Sequence, residues 1–382
     1  MSRRIGMVVG ELRDAKRVGS ERRYTELIRG LRERGDDIHL FAHRWDDAAA
    51  RGLHCHPVVA PGPPNLRPLA FAVAALLAVR RWRHRLDLVH SHTKSLGEDL
   101  VSPGGSAHRA YLATLRLGDR GLRGRARPWH PFHRTTLLVE ALQLRAARVI
   151  VVNSEWSRRQ LTAAYPRVRP RVEVVYNGVD AAQFGPAVTA PLRKSTRDEL
   201  GVADREVVFL FLGAGDRRKG LHELLRAFGR VTAPVRLLVV GHRDAKETAR
   251  VDAALVDERL RQRVILRPFA ADPRPYYAAA DVFVLPTWFD PFSNATLEAL
   301  ACGLPVVTTA SNGVAELMTS GREGTIVPPG DVEALRAALT GMLDADLRSM
   351  AEAARALAER MTWRRHVDAM SAIYDRLLGV SR

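Results

Sequence analysis

Short apolar segments alternate with longer segments of helical periodicity along the chain. In the first half the apolar segments are IGMVVG, DIHLFAHR, LDLVHSH and RVIVVNS, and in the second half they are EVVFLFLGAG, VRLLVVGH, RVILRPF, DVFVLPT, LPVVTT and GTIVPPG. Apolar runs of this length indicate buried strands, and segments such as YTELIRGLRERG and KGLHELLRAFGRV have the spacing of helices. The alternation predicts an α/β fold with parallel strands.

A turn signal divides the two series of strands. Asn177-Gly178 is followed by a polar segment that contains Pro186 and Pro191, so we predict a domain boundary within residues 176–195. The predicted organisation is two doubly wound, Rossmann-like halves, residues 1–178 and 179–362. Ligands of such sheets bind beyond the carboxyl ends of the strands, so we expect the halves to face each other across a ligand cleft.

The segment FDPFSNATLEALACGLPVV, residues 289–307, combines a turn, a helix and a strand. Its spacing predicts a helix at 295–302, with Ser293 or Asn294 as the N-cap and Gly303 as the left-handed end. The helix N-terminus is a positive pole suited to a phosphate. Asp290 would lie ahead of the helix and Glu298 about one turn inside it, so both carboxylates could contact one bound molecule. Taken alone, such a pair is more often an acidic residue that the helix dipole favours near the helix start, together with an exposed glutamate.

A second motif follows a strongly apolar strand at residues 213–220, GAGDRRKG. Gly215 lets the backbone approach a ligand, while Arg218 and Lys219 offer cations for a diphosphate. The alternative is a strand-to-helix turn with solvated basic residues. Taken alone, a glycine-containing segment of this kind more often marks only such a turn.

The segment from Asp290 to Glu298 resembles the carboxylate-x7-carboxylate signature of glycosyltransferase family 4, the retaining nucleotide-sugar enzymes of the GT-B fold. GAGDRRKG resembles a second element of the same family, at the place where the family has it. Asp290 stands where the family more often has Glu. The resemblance implies that Arg218 and Lys219 stabilise the diphosphate leaving group, that Asp290 contacts the donor sugar and that Glu298 holds the nucleotide ribose. It also implies that the backbone around the turn faces sugar or phosphate, at Phe292, Ser293, Asn294 and Ala295.

The first half matches the family at fewer positions. Gly19, in VGSERR, stands where the family has a glycine-rich loop after its first strand. The family also has a functional histidine in the acceptor domain, for which His108 is our choice, with His90 and His92 as alternatives. Residues 363–382 resemble the last helix of the family, which crosses back onto the first domain.

The resemblance implies an enzyme that moves a hexose, with retention, from a nucleotide diphosphate sugar to a saccharide or lipid-linked acceptor. The expected donors are UDP-glucose or UDP-N-acetylglucosamine, with a GDP-sugar left open, and the expected pathway is assembly of lipopolysaccharide or another cell-surface glycan. No cofactor and no metal are expected. Asp344-Ala-Asp346 is interpreted as a solvated, helical segment rather than a metal motif.

Composition adds a location and a class of partner. The chain has 46% hydrophobic and 26% charged residues, which is typical of a globular protein, and its two cysteines follow no metal spacing, which fits the cytoplasm. The apolar run at 69–79 is shorter than the ~20 residues of a membrane span, and we expect a buried crossover helix there. A net charge of +17 and the basic flanks at 80–85 and 116–127 predict peripheral contact with an anionic membrane surface.

Two other classes of function compete with this interpretation. A nucleotide-sugar epimerase can share the architecture and would need no acceptor. A nucleic-acid-binding protein would explain the positive charge, but the basic residues are not interleaved with aromatic residues and no helix-turn-helix or zinc pattern is present. We therefore expect no nucleic-acid partner.

Overall fold

The computed structural model describes residues 2–13, 21–104, 106–118, 129–168, 170–213, 217–241 and 257–380, together with residues 249, 251, 253 and 255. The chain divides into two compact units. The first comprises Met1–Gly178 and Trp363–Arg382, and the second comprises Val179–Thr362.

The first unit alternates strands and helices, as its hydrophobic pattern predicts. Its strands are β1 (Arg4–Val8), β2 (Glu11–Leu12), β3 (Asp37–Ala42), β4 (Arg44–Trp45), β5 (His54–Pro57), β6 (Leu88–Ser91), β7 (Leu100–Val101), β8 (Val149–Val152) and β9 (Arg171–Val174). Its helices are α1 (Arg22–Glu33), α2 (Asp47–Ala50), α3 (Arg67–Trp82), α4 (His108–Gly118), α5 (Pro131–Ala146), α6 (Glu155–Ala164) and, from the end of the chain, α14 (Trp363–Leu378).

A parallel sheet in the order β5-β3-β1-β6-β7-β8-β9 forms the centre of this unit. Successive residues of a strand face opposite sides, so Met7 belongs to the core under helices α1 and α14 while Val8 belongs to the core under helix α3. The C-terminal helix contributes Val367, Met370 and Tyr374 to the first of these cores. Helices therefore cover both faces of the sheet, as in a doubly wound domain.

The second unit repeats the plan with a sheet in the order β12-β11-β10-β13-β14-β15, again with parallel pairs. Its strands are β10 (Val207–Leu212), β11 (Val235–Val240), β12 (Val264–Arg267), β13 (Val282–Leu285), β14 (Val306–Thr309) and β15 (Gly324–Val327). Its helices are α7 (Pro186–Leu200), α8 (Leu221–Phe228), α9 (Glu258–Arg263), α10 (Arg274–Ala279), α11 (Asn294–Ala301), α12 (Val332–Gly341) and α13 (Leu347–Glu359).

The polar segment within the predicted boundary range is largely helical. The units divide after Gly178, but most of the polar segment forms helix α7 rather than a linker. Pro186 occupies the first turn of that helix, where the missing N–H is not needed. Pro191 lies inside it, so a proline in this segment does not mark the end of a helix.

Two further expectations need correction. Helix α3 is buried along only one side, because Val73 is 44% and Leu77 is 61% exposed, so the prediction of a buried crossover helix at 69–79 is wrong for its outer side. Asp344 and Asp346 are solvent-exposed, as predicted, but they lie between helices α12 and α13 rather than in a helix. Asp346 is the N-cap of α13 and accepts a hydrogen bond from the N–H of Ser349 at 3.1 Å.

Within the described part of the chain, no helix combines the length and the apolar character needed to cross a membrane. Both cysteines are free thiols, with Cys55 half-buried and Cys302 buried. Burial raises the pKa of the Cys302 thiol well above its usual value, so this thiol is inert at neutral pH.

Candidate functional site

Helix α11 begins directly after the loop that carries Asp290. Ser293 is its N-cap, and the side-chain oxygen of Ser293 accepts a hydrogen bond from the N–H of Thr296 at 3.2 Å. Gly303 follows the helix with a φ of 77°, the left-handed conformation that glycine adopts without strain. The predicted helix is thus confirmed, with bounds shifted by one residue.

One stripe of helix α11 is accessible within the second unit. Its half-buried members are Asn294, Ala295 and Glu298, where Glu298 lies one turn after the other two, and half-buried Pro291 lies in the loop directly ahead of the helix. The side chains of Phe292 and Ser293 are buried, at 5% and 3% exposure. Three of the predicted binding residues therefore share one accessible face at the positive end of the helix.

A buried amide fixes the loop ahead of the helix. The side-chain oxygen of Asn312 accepts hydrogen bonds from the N–H groups of Ser293 at 3.3 Å and Val314 at 3.2 Å. Its Nδ2 donates to the hydroxyl oxygens of Thr296 at 3.0 Å and Thr308 at 3.1 Å. Every polar atom of the amide thus has a partner, so the end of β14 is tied rigidly to the start of α11.

The two motifs found in the sequence meet at an ion pair. Lys219 Nζ lies 2.6 Å from Asp290 Oδ2, and the two side chains are only 13% and 8% exposed. The backbone of Asp290 is fixed as well, because its N–H donates to the Ser311 carbonyl at 3.0 Å and its carbonyl accepts from the Gly313 N–H at 2.9 Å. Asp290 therefore positions the lysine ammonium, a contact that sequence spacing did not reveal.

Arg218 is held against the same loop. Its guanidinium donates to the Phe289 carbonyl at 3.0 Å and lies 3.8 Å from Asp290 Oδ2. Its own carbonyl accepts from the Trp288 N–H and the Thr287 hydroxyl, each at 2.8 Å. Two cations and the start of helix α11 are thus organised around one loop, an arrangement suited to an anion such as a diphosphate.

Glu298 is oriented by a tyrosine. The hydroxyl of Tyr277, on helix α10, lies 3.1 Å from Glu298 Oε2 and 3.0 Å from the Ala295 carbonyl oxygen. A carboxylate held in this way on an accessible stripe can accept hydrogen bonds from ligand hydroxyl groups. The geometry is compatible with the predicted ribose contact.

The two predicted loop glycines, Gly19 and Gly215, lie outside the described residues. Among the predicted site residues of the second half, Arg218, Lys219 and Asp290 form one charged group next to helix α11. His108, the predicted acceptor-side residue, belongs to the first unit.

His108 lies in a network of polar side chains at the start of helix α4. Its Nε2 is 3.0 Å from Nδ1 of His133, and its backbone N–H donates to Oε1 of Glu140 at 2.7 Å. Burial lowers the pKa of His108 to about 4, so the imidazole is neutral at pH 7. A neutral imidazole can exchange hydrogen bonds with a sugar hydroxyl.

Glu140 is the centre of that network. Burial would raise its pKa, but Lys94, whose Nζ lies 2.6 Å from Oε1, holds the pKa below its usual value. The Tyr165 hydroxyl donates to Oε2 at 2.7 Å. The fully buried carboxylate is therefore ionised and paired.

The alternative histidines, His90 and His92, are buried in the interior of the first unit. His90 is fully buried, with Nδ1 2.6 Å from the Tyr374 hydroxyl and Nε2 2.8 Å from the Ser102 hydroxyl. His92 is 9% exposed and its ring centroid lies 3.9 Å from that of His90. Burial holds the pKa of both imidazoles well below the usual value. Of the three, His108 is the most accessible.

A cavity of about 290 Å³ opens in the first unit beside Lys94. Phe71 and Phe132 supply apolar walls, Arg67 and Lys94 supply basic groups, and Glu11 supplies a carboxylate. Gly10 and Thr93 follow strands β1 and β6, so the cavity lies at the carboxyl ends of the strands, where ligands of parallel sheets bind.

The sequence analysis did not predict several residues of these sites. Asn312, Tyr277 and Glu140 act through hydrogen bonds between residues that are distant in the chain. The Asn312-Gly313 pair is a turn signal, but a turn does not reveal what the amide contacts. No local pattern marks Tyr277 or Glu140.

Two family models match the chain in separate ranges. Residues 18–183 match the model described as Glycosyltransferase Family 4, and residues 206–345 match the model described as Glycosyl transferases group 1. The matched ranges include His108 in the first unit and Arg218, Lys219, Asp290 and Glu298 in the second.

Two glycosyltransferase-type relatives are similar to this chain in sequence. A D-inositol 3-phosphate glycosyltransferase of Mycobacterium marinum is 30% identical over 60% of this chain, a match that spans about half (50%) of that relative's length. An alpha-maltose-1-phosphate synthase of Mycolicibacterium smegmatis is 29% identical, with 88% of each chain covered.

Solved structures with the same fold cover nearly the whole chain. WaaG, a glycosyltransferase involved in lipopolysaccharide biosynthesis, has a TM-score of 0.79 at 18% identity, covering 97% of this chain and 99% of its own. Anabaena HepE in complex with UDP-glucose has a TM-score of 0.73 at 20% identity, covering 98% of this chain and 100% of its own. At these identities the likeness concerns the fold, and the predicted GT-B fold is confirmed.

Proposed function

Because this chain belongs to the family 4 glycosyltransferases, we propose that it moves a hexose from a nucleotide diphosphate sugar to a saccharide or lipid-linked acceptor, with retention of configuration. The observation that carries this proposal is the ion pair between Lys219 and Asp290 beside the start of helix α11. UDP-glucose is the first donor to test, since Anabaena HepE binds it on the same fold, and UDP-N-acetylglucosamine is the second.

Glycosyl transfer must stabilise a departing nucleotide diphosphate whose negative charge grows in the transition state. Arg218 and Lys219 act on that charge, and because Asp290 holds the ammonium in place, little reorganisation is needed during the reaction. In this proposal no metal ion is required. Glu298, held by Tyr277, accepts hydrogen bonds from the nucleotide ribose.

The acceptor belongs to the first unit in this proposal. The cavity beside Lys94 combines phenylalanine walls with basic and acidic side chains, which suits an acceptor that has an apolar part and polar hydroxyl groups, such as a lipid-linked saccharide. His108 contacts the reacting sugar, and its low pKa keeps the imidazole neutral there. Assembly of a cell-surface glycan is the corresponding pathway, supported by the role that the name of WaaG gives to a protein of this fold.

We also propose that the enzyme works in the cytoplasm at the inner membrane surface. Helix α3 exposes Val73 and Leu77, and helix α5, which packs against it, exposes Leu138 at 51% and Leu142 at 43%. We call these four residues the apolar face. Exposed arginines flank it, namely Arg80, Arg81, Arg134 and Arg145. Exposed apolar side chains and exposed arginines on the same two helices suit an anionic lipid surface.

Donor binding tests the proposed site. We expect calorimetry with UDP, UDP-glucose, UDP-N-acetylglucosamine, GDP and a GDP-sugar to show selective binding of the uridine compounds. Glu298→Ala should weaken that binding at least roughly tenfold, since a hydrogen bond to a charged group is worth about 1.5–3 kcal/mol. Glu352→Ala, which changes a glutamate 74% exposed on helix α13, is the matched control and should bind as the wild type does.

Three results would contradict the proposal. Equal loss of binding in both glutamate variants would remove Glu298 from the site. Conversion of the sugar nucleotide to an isomer without any acceptor would identify an epimerase. Binding to nucleic acid with none to nucleotides would mean that the positive charge serves a different partner.

A further inference from the structure

Four polar side chains lie on one face at the edge of the sheet in the first unit. Asp37 and His39 belong to strand β3, and His54 and His56 belong to the edge strand β5. Residues two apart on a strand face the same side, so the sequences Asp-Ile-His and His-Cys-His each present a pair. The register places His39 directly opposite His54, which brings the two pairs together.

Three of these side chains converge on one point. Nε2 of His54 lies 3.2 Å from Oδ1 of Asp37, and Nε2 of His39 lies 3.6 Å from Oδ2 of the same carboxylate. The donor atoms of the three residues all lie within 4.8 Å of one another. Ligands of a tetrahedral zinc ion are separated by about 3.3 Å, as follows from bond lengths of ~2.0 Å. The group is therefore close to the size of a zinc site.

The remaining histidine supports this arrangement. Nδ1 of His39 lies 2.9 Å from Nε2 of His56, so the ring nitrogen of His39 that faces away from Asp37 is held by a hydrogen bond. Histidine ligands of metals are commonly oriented in this way through their second nitrogen. His56 is itself fixed between aromatic rings, with centroid distances of 4.3 Å to Trp82 and 4.7 Å to Phe41.

We propose that Asp37, His39 and His54 bind a zinc ion. Two imidazoles and one carboxylate are a donor set that zinc accepts, and water can complete the coordination because the His54 side chain is 61% exposed. The ion would join the four-residue edge strand β5 to strand β3 and so stabilise this edge of the sheet. None of the three residues takes part in the proposed transfer reaction.

The competing explanation is a metal-free ion pair. His54 and Asp37 are close enough to attract each other whenever the imidazole is protonated, and an exposed pair of this kind contributes little to stability. The two explanations differ in what zinc does to the folded protein. A ligand that binds only the folded state raises the melting temperature, whereas added zinc leaves the melting temperature unchanged if the residues form only an ion pair.

Zinc titration of tag-free, chelator-treated protein near neutral pH separates these explanations. We expect calorimetry to show one zinc ion per chain bound at this site and thermal unfolding to move to higher temperature with added zinc. His54→Gln should weaken zinc binding at least roughly tenfold and remove the thermal shift. His84→Gln, which changes another exposed histidine of the first unit, is the matched control and should behave as the wild type does.

The exposure of His54 makes its variant a fair test, because loss of an exposed side chain leaves the core intact. Circular dichroism without zinc should confirm that His54→Gln is folded. No zinc binding by the wild type, or equal binding by wild type and His54→Gln, would overturn the proposal. Nucleotide binding measured on the same samples keeps this outcome independent of the transferase proposal.

Discussion

The chemistry of single residues depends strongly on burial in this protein. His366, on helix α14, is 4% exposed, and its Nδ1–H donates to the Tyr176 carbonyl at 2.8 Å. Burial lowers the pKa of His366 to about 4 from an ordinary value of 6.5. Between about pH 4 and pH 6.5 the imidazole of His366 is therefore neutral in the folded protein, whereas the same imidazole is protonated in the unfolded chain.

This shift predicts a pH dependence of stability. Between pH 6.5 and about 4 the unfolded state binds the additional proton at His366, so the free energy of unfolding should fall as the pH falls through this window. The contribution of His366 is at most about 3 kcal/mol. His366→Gln should make the decline shallower, as measured by urea unfolding at several pH values. An unchanged slope in this variant, or an equal change in His84→Gln, would contradict the assignment.

At the scale of elements, residues 217–220, directly ahead of helix α8, position the cations of the proposed donor site. Gly220 follows Lys219 with a φ of 75°, and a Cβ atom at this position would lie 2.0 Å from the Pro286 carbonyl oxygen. Only glycine allows the turn to approach the end of β13 this closely. The Lys219 to Asp290 ion pair depends on that approach.

Gly220→Ala should therefore lower the free energy of unfolding of the second unit by roughly 3 kcal/mol, through left-handed strain and the backbone clash. Urea unfolding followed by circular dichroism measures this. Gly341→Ala is the matched control, because a Cβ atom there meets no atom within 4 Å at the end of helix α12. Equal stability of the two variants would show that the turn relaxes at little cost.

At the scale of the whole molecule, the chain has a net charge of +17, and large exposed apolar side chains are concentrated in the first unit. Val73, Leu77, Leu138 and Leu142 form the apolar face described above, whereas Phe269, at 51% exposure, lies in the second unit. The second basic flank predicted from sequence, residues 116–127, has no described side chains. The proposed membrane contact therefore lies on helices α3 and α5.

We predict that the protein binds phosphatidylserine vesicles at low salt and is released at high salt, since each basic residue near the surface contributes about 1 kcal/mol that salt screens. Leu77→Glu should reduce binding, because it places a negative charge on the apolar face, while Phe269→Glu makes the same charge change in the second unit and should have a smaller effect. Vesicle sedimentation measures both. Binding that high salt leaves unchanged would contradict the electrostatic explanation.

The sequence by itself determined the elements and the motif of the second unit. Strands such as β10 and β13 were evident because a buried strand is a continuous apolar run, and helix α11 was evident because its cap, its apolar spacing and Gly303 are all local signals. Where propensity and packing disagree, as at Pro191, the local signal was misleading. The predicted roles of the site residues stay predictions.

Only the tertiary structure decided which side chains meet. The Lys219 to Asp290 pair, the Asn312 amide network and the Asp37, His39 and His54 group each join residues from different segments. Strand register and sheet order bring these segments together. Both are set by the free energy of packing the whole sheet, which no short stretch of sequence determines by itself. The sequence therefore shows which chemical groups this protein has, whereas the fold determines which of these groups are in contact.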